Sequence, residues 1–303
     1  MLQRPFKQVD VFTATPYFGN PLAVVLDASG LDEAAMQHFA RWTNLSETTF
    51  VLPPTQSEAD YQVRIFTPGG ELPFAGHPTL GSCHAWLEAG GQSKSSQFIV
   101  QQCAKGLINI CRDAVSTRLA FAAPSLLRSA PEAALLTQVA NALGIGTALI
   151  KAAQWLDNGP VWLGLLLDSP ETVLQLLPNH QALAKLGVKV GVAGMYEPAP
   201  SALISRANRE AQAFAQQKLE APPDLEVRAF AACIGISEDP VTGSLNASLA
   251  QWLMADGLMP THYTASQGVC MGRAGRVELQ RDSHGQVWVG GQTVTCVNGS
   301  VTL

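Results

Sequence analysis

The amino-acid sequence predicts an α+β protein of two similar domains, each with a β-sheet wrapped around a central buried α-helix. Short strand patterns alternate with few helices, which is typical of α+β folds and not of doubly wound parallel sheets. A strand–turn–helix pattern occurs twice, about half the chain length apart. The helix of each copy is almost uncharged, and a helix that is apolar on every side is buried on every side.

The first half of the chain predicts strands and two helices. The helix from Asp32 to Trp42 places Met36, Phe39 and Ala40 on one face, with acidic residues in its first turn. The second helix, Leu80–Ala89, is apolar and is followed by two glycines. Strand patterns are found at Val9–Thr13, Leu22–Leu26, Thr48–Leu52, Tyr61–Phe66, Gln97–Gln101, Gly106–Cys111 and Thr117–Phe121.

A proline-containing stretch, Ala122–Ser129, predicts the boundary between a domain of residues 1–122 and one of residues 123–303. We expect the active-site cleft between them, and the last strand is a candidate to cross back to the first domain. Helices are predicted at Pro131–Leu143, from Ser169 onward and at Gly243–Ala255. Strands are predicted at Val161–Leu167, Gly191–Glu197, Leu225–Phe230 and, as an antiparallel run, from Arg276.

The composition excludes several functional classes. Only 14% of the residues are charged, against about 25% in typical globular proteins, and the net charge is −5. Because no block of Lys and Arg exists, we expect no nucleic-acid partner. The longest apolar stretch, Val161–Leu167, is far below the roughly 20 residues that span a bilayer, so we expect no membrane partner and a cytoplasmic location.

Metal and cofactor sites are not expected either. The six cysteines are scattered without a CxxC pair, which indicates reduced thiols and no zinc site. No GxGxxG motif follows a strand, so a dinucleotide cofactor is unsupported.

The repeated pattern points to a binding site. Val63–Phe66 leads to His77–Ser82 and an apolar helix, and Val227–Phe230 leads to Asp239–Ser244 and another. The start of a helix exposes backbone N–H groups and positive dipole charge. Two such starts facing each other would bind an anion such as a substrate carboxylate. The alternative is that both are ordinary strand-to-helix turns.

Glu47 is the candidate general acid and base. Its neighbours are uncharged and an apolar strand follows, so burial would raise the pKa of its carboxyl group. A surface glutamate is the alternative, since Glu is seldom buried.

Three further candidates stand at the two helix starts. His77 could donate to a substrate oxygen or relay a proton, or it could be a turn histidine. Asp239 lies at the equivalent start of the second helix, where Asp also serves as an N-cap. Ser244 could give its hydroxyl to a carboxylate or be an ordinary first-turn residue; it lacks the G-x-S-x-G surroundings of a serine hydrolase.

Six segments, in order along nearly the whole chain, resemble the PhzF-like isomerase family, named for phenazine biosynthesis and related in fold to diaminopimelate epimerase. They are Asp10–Thr13, Phe18–Val24, Ser46–Phe50, Phe74–Thr79, Glu238–Ser244 and Gln267–Arg273. The resemblance implies mixed or antiparallel barrel-like sheets, each enclosing a helix. It also implies catalysis without metal or organic cofactor, and a homodimer, because the family is commonly dimeric.

The resemblance also implies residue roles. The phenazine enzyme moves a proton within the ring of a dihydro-hydroxyanthranilate, and its catalytic residues match Glu47, His77, Asp239 and Ser244. On this chain Glu47 would carry the proton. The residues expected to bind the substrate, through its carboxylate at the helix starts, are Ser46, Gly76, Thr242 and Gly243.

Two functions besides such an isomerase stay open. One is an epimerase or racemase, although the related epimerases place a thiol pair at the two helix starts and this chain has no cysteine there. The second is a non-catalytic protein that binds small molecules in the same cleft.

Overall fold

The protein is built on one continuous mixed β-sheet that encloses two helices. The computed structural model describes residues 2–113, 118–197 and 222–303. Within these ranges the α-helices are α1 (Glu33–Thr43), α2 (Gly76–Glu88), α3 (Ala133–Leu143), α4 (Pro170–Gln175), α5 (His180–Leu186) and α6 (Gly243–Ala255). Single 3₁₀ turns lie at Thr147–Leu149, Ala232–Ile234 and Val269–Met271.

The strands divide between the two halves of the sequence. The first half has β1 (Gln3–Val11), β2 (Asn20–Val25), β3 (Thr48–Leu52), β4 (Tyr61–Thr67), β5 (Gly70–Leu72), β6 (Ile99–Cys103), β7 (Gly106–Arg112) and β8 (Leu119–Ala122). The second has β9 (Leu127–Ser129), β10 (Ile150–Asp157), β11 (Val161–Leu167), β12 (Val190–Met195), β13 (Leu225–Ala231), β14 (Ile236–Asp239), β15 (His262–Gln267), β16 (Gly275–Arg281), β17 (Val287–Gly291) and β18 (Thr293–Thr302).

The two halves repeat one pairing pattern. Along β1–β2–β3–β4–β6–β7–β8 the pairings are antiparallel, parallel, antiparallel, parallel, antiparallel and antiparallel. The same series describes β10–β11–β12–β13–β15–β16–β17. β8 pairs with β17 and joins the halves, while the final strand β18 pairs with β1. The mixed α+β fold predicted from the sequence is confirmed; the boundary after residue 122 stays a prediction.

The helix α2 is enclosed by strands of the first half together with β18, as its nearly uncharged sequence predicted. It contacts β1, β2, β3, β6, β8 and β18. Gly81 lets it approach the sheet closely, since a Cβ there would lie 2.6 Å from the side chain of Leu22 and 3.0 Å from that of Val11. The helix α6 lies in the same way against β10, β11, β16 and β17.

Some predicted boundaries were wrong. The helix predicted from Leu80 begins at Gly76, because Pro78 falls in the first turn, where a missing N–H needs no partner. The strands β10 and β15 were not predicted: most residues of β10 are only partly buried and do not alternate clearly, and β15 is a short strand composed mainly of polar residues. Of the predicted strand Thr117–Phe121, Thr117 lies outside the described residues.

Capping residues explain where several helices begin and end. Asp32 accepts a hydrogen bond from the N–H of Ala35 at the start of α1, and Ser169 accepts one from Thr172 at the start of α4. Gly144 adopts the left-handed conformation that ends α3. No helix in the described residues is long and apolar enough to cross a membrane.

Candidate active site

The starts of the two enclosed helices meet in the interior. A Cβ built on Gly76 would lie 2.7 Å from the ring of Phe121 and 3.2 Å from the Cα of Gly243, so the absence of a side chain favours this close approach. The first intrahelical bonds run from Thr79 N to Ala75 O and from Asn246 N to Thr242 O. The backbone N–H groups before them are therefore available at the junction. In the described structure neither helix has a side-chain cap.

Glu47 lies beside this junction, in the loop between α1 and β3. Asn44 in the left-handed conformation ends α1, and the chain then turns so that Glu47 precedes the buried start of β3. Its side chain is 14% exposed. Burial raises the pKa of Glu47 to about 7, because the charged form loses its hydration, while a hydrogen bond from Ser46 acts in the opposite direction.

His77 faces Glu47 from the first turn of α2. Its Nε2 lies 3.4 Å from Oε2 of Glu47, and both atoms are buried without a hydrogen-bond partner among the described residues. Burial lowers the pKa of His77 to about 4, although the nearby carboxylates of Asp239 and Asp10 act in the opposite direction. His77 is therefore a neutral imidazole near pH 7.

Asp239 comes to the same place from the end of β14. Thr242 Oγ1 donates to its Oδ2 at 2.5 Å, and Asn20 Nδ2 donates to its Oδ1 at 3.1 Å. Burial raises the pKa of Asp239 to about 6, and the charge of Glu47 adds to the effect. Asp239 is not the N-cap of α6, which begins after Thr242.

Ser244 lies one residue beyond Gly243, in the first turn of α6. Its Oγ accepts a hydrogen bond of 3.2 Å from Nε1 of the buried Trp162. That leaves the hydroxyl proton of Ser244 available for donation. The carbonyl oxygen of Ser244 accepts a bond from Asn158 Nδ2.

Two amide side chains, those of Asn20 and Gln267, connect the site, and neither residue type by itself predicts such a role. Asn20, at the start of β2, donates to Asp239 and to the carbonyl oxygen of Val241. Gln267, at the end of β15, accepts from the N–H of Thr242 and donates to its hydroxyl. Both residues fall inside segments that carried the family resemblance, which was the only signal for them.

The residues at this junction are suited to transfer a proton to and from an anionic ligand. They combine a carboxyl group that titrates near neutrality, a neutral imidazole and two sets of helix N–H groups. Among the described residues, no group of three or more His, Cys, Asp or Glu is arranged to hold a metal ion.

Comparison with known proteins identifies the family. The family model described as "Phenazine biosynthesis-like protein" matches residues 9–299. The chain belongs to this PhzF-like family. It is 34% identical to antisense-enhancing sequence 1 of Schizosaccharomyces pombe over 99% of each chain. It is 30% identical to the trans-2,3-dihydro-3-hydroxyanthranilate isomerase of Pseudomonas chlororaphis, covering 97% of this chain and 98% of that one.

Solved structures agree with the PhzF-like assignment. A PhzF-family phenazine biosynthesis protein from Enterococcus faecalis superposes with a TM-score of 0.78 at 26% identity, covering all of both chains. A probable proline racemase from Agrobacterium radiobacter K84 superposes with a TM-score of 0.62 at 10% identity, over 99% and 93% of the two chains, and shares the fold alone. Because relatives that match nearly the whole chain are named isomerases, the protein is an isomerase of the PhzF-like family.

Proposed function

We propose that this protein is a cofactor-independent isomerase that moves a proton between two carbon atoms of a small carboxylated substrate. Glu47 serves as the general acid and base. The observation that supports this most is the pair of buried atoms Glu47 Oε2 and His77 Nε2, which face each other at 3.4 Å beside the two helix starts. An epimerase would use the same pair of groups, and the experiment below distinguishes it by the carbon at which deuterium enters.

In the proposed reaction, the carboxylate of Glu47 takes a proton from one carbon and leaves the electron pair on the substrate. The pair delocalises into an adjacent double bond, and Glu47-COOH returns the proton at the far carbon. One C–H bond breaks, another forms, and the double bond shifts, so no redox partner is needed. A carboxylate with a pKa of about 7 is a stronger base than a solvated glutamate, whose pKa is near 4.3.

The other residues bind and polarise the substrate. The N–H groups of Gly76 and Gly243 hold its carboxylate at the positive ends of the two helices. Ser46 and Thr242 line this place, where their hydroxyl protons serve the carboxyl groups of Glu47 and Asp239. His77, Asp239 and Ser244 contact its remaining polar groups. The substrate named for the Pseudomonas chlororaphis relative, a dihydro-hydroxyanthranilate, carries a carboxylate and belongs to this chemical class.

The experiment is a screen of cyclic and amino-acid-like carboxylates, including that dihydro-hydroxyanthranilate, for enzyme-dependent deuterium uptake from heavy water by mass spectrometry. We expect uptake by the wild type and a loss of at least about 10²-fold in Glu47→Gln, which keeps the shape but cannot carry the proton. The exposed Glu132 provides the matched control, Glu132→Gln, which is expected to leave turnover unchanged.

Two results would contradict the proposal. If Glu47→Gln keeps more than about a tenth of the wild-type turnover, Glu47 is not the proton carrier. If deuterium enters with inversion at a single carbon and no double bond moves, the protein is an epimerase.

A further inference from the structure

The side chain of Asn20 holds a fixed orientation between the two halves of the site. It is fully buried. Its Nδ2 donates to the carbonyl oxygen of Val241 at 2.8 Å and to Oδ1 of Asp239 at 3.1 Å. A flipped amide would place Oδ1 against two oxygen acceptors. The nitrogen of the amide therefore points toward residues 239–241.

The same nitrogen also faces His77. Asn20 Nδ2 lies 3.5 Å from Nδ1 of His77. An amide nitrogen donates and does not accept, and its two hydrogens serve Val241 and Asp239, so a proton on Nδ1 would find no acceptor in Asn20. The favourable state has a lone pair on Nδ1.

The other ring nitrogen must then carry the proton of the neutral imidazole. Nε2 of His77 lies 3.4 Å from Oε2 of Glu47, and in the described structure neither atom has a hydrogen-bond partner. A proton on Nε2 would have the Glu47 carboxylate as a nearby acceptor, whereas a lone pair on Nε2 would lie beside the lone pairs of that carboxylate. The environments of both nitrogens thus favour one tautomer.

We propose that Asn20 is a positioning residue that holds neutral His77 in the tautomer with its proton on Nε2. His77 then presents a hydrogen-bond donor to Glu47 and to a substrate oxygen, and it is not the base. The division of roles between His77 and Glu47 rests on the proposed function. The tautomer itself does not, because it is a property of the protein without substrate.

The test is ¹⁵N NMR of the full-length protein labelled at histidine, recorded near pH 7.5. His77→Gln identifies the His77 signals by their disappearance. We expect a pyridine-type Nδ1 and a pyrrole-type Nε2 in the wild type. In Asn20→Asp, a carboxylate replaces the donor beside Nδ1, so we expect the proton to move toward Nδ1. Asn109→Asp, the same change on the exposed face of β7, leaves the His77 signals unchanged.

Two outcomes would overturn the proposal. A pyrrole-type Nδ1 in the wild type would show the opposite tautomer. Unchanged His77 signals in both Asn20→Asp and Asn20→Ala would show that Asn20 does not set it. If Asn20→Asp fails to fold, the wild-type spectrum still identifies the tautomer of His77. Asn20→Ala then tests whether Asn20 sets it, since this variant is expected to populate both tautomers. None of these readouts depends on turnover, so a failure of the proposed function would be seen separately, in deuterium uptake.

Discussion

Gly76 and Gly243 bring the starts of two enclosed helices into direct backbone contact. A Cβ on Gly243 would lie 3.2 Å from the Cα of Gly76 and 3.3 Å from the backbone nitrogen of His77. Each half of the sequence contributes one of these glycines, at the end of the same strand–turn–helix pattern. The proposed anion site depends on this contact, because it places both sets of N–H groups on one ligand.

Gly243→Ala is therefore expected to separate the helix starts and to reduce turnover by at least about tenfold, since small displacements in a site are costly. Stability is expected to fall by about 1–3 kcal/mol, the usual cost of overpacking. Deuterium uptake and urea unfolding measure the two effects. Gly146→Ala is the control, since a Cβ there meets nothing within 4 Å. Wild-type turnover in Gly243→Ala would contradict the role of the contact.

The burial of the enclosed helices could be predicted because it follows from the amino-acid composition of each helix alone. Residues 243–253 contain no charge, and that is sufficient to infer burial on all sides. Glu47 could be proposed for a similar reason, since its uncharged neighbours are adjacent in the chain. The predicted elevation of its pKa agrees with the buried position that the structure gives it.

The connections between the halves could not be predicted in this way. The side chain of Asn20 donates hydrogen bonds to Asp239 and Val241, about 220 positions later, and no local sequence pattern predicts such a contact. Trp162 and Ser244 are joined by a hydrogen bond across 82 positions. A single sequence shows which residue types are present, but the folded sheet decides which of them meet.

Glu238 offers a test that separates folding from catalysis. It is adjacent to Asp239 but forms a two-pronged ion pair with the buried Arg228, at 2.8 and 2.9 Å. Removing one partner of a buried pair leaves an uncompensated charge. Glu238→Gln is expected to lower the free energy of unfolding by about 3 kcal/mol or more, measured in urea. Turnover per folded molecule changes far less than in Glu47→Gln, and an equal loss in both variants would contradict this distinction.

Ser46 should tune the pH dependence of turnover. The base form of Glu47 must be present to take a proton from carbon, so turnover at low substrate concentration is expected to rise with an apparent pKa near 7. The apparent value belongs partly to the coupled pair of Glu47 and Asp239. The hydrogen bond from Ser46 lowers the pKa of Glu47. In Ser46→Ala the rising limb of the pH profile is therefore expected to move to higher pH.

The measurement is the pH profile of kcat/KM in wild type, Ser46→Ala and the control Ser129→Ala, which changes an exposed serine on β9. A limb that moves to lower pH in Ser46→Ala would show that Ser46 does not stabilise the charged carboxylate. A limb near pH 4 in the wild type would assign catalysis to a solvated carboxyl group.

The last prediction concerns the stability that Glu47 contributes and how it changes with pH. The pKa of Glu47 is about 7 in the folded protein and 4.5 in the reference state. Between these values the folded protein keeps a proton that the unfolded chain releases, so stability falls as pH rises. This contribution is fully present below pH 4.5 and is lost as pH rises through 7. In Glu47→Gln the side chain at this position is neutral at every pH, so the variant does not lose this contribution to its free energy of unfolding.

The two proteins are therefore expected to have similar free energies of unfolding at pH 4.5, and Glu47→Gln to be the more stable at pH 8, by up to roughly 3 kcal/mol. His77 has the opposite dependence, with its pKa lowered to about 4, but it is present in both proteins and largely cancels in the difference. The pKa of Asp239, raised partly by Glu47, falls in the variant and adds to the gain. Urea unfolding at the two pH values measures the difference. A constant difference across this range would mean that Glu47 titrates as a solvated glutamate and lacks the basicity the proposed reaction requires.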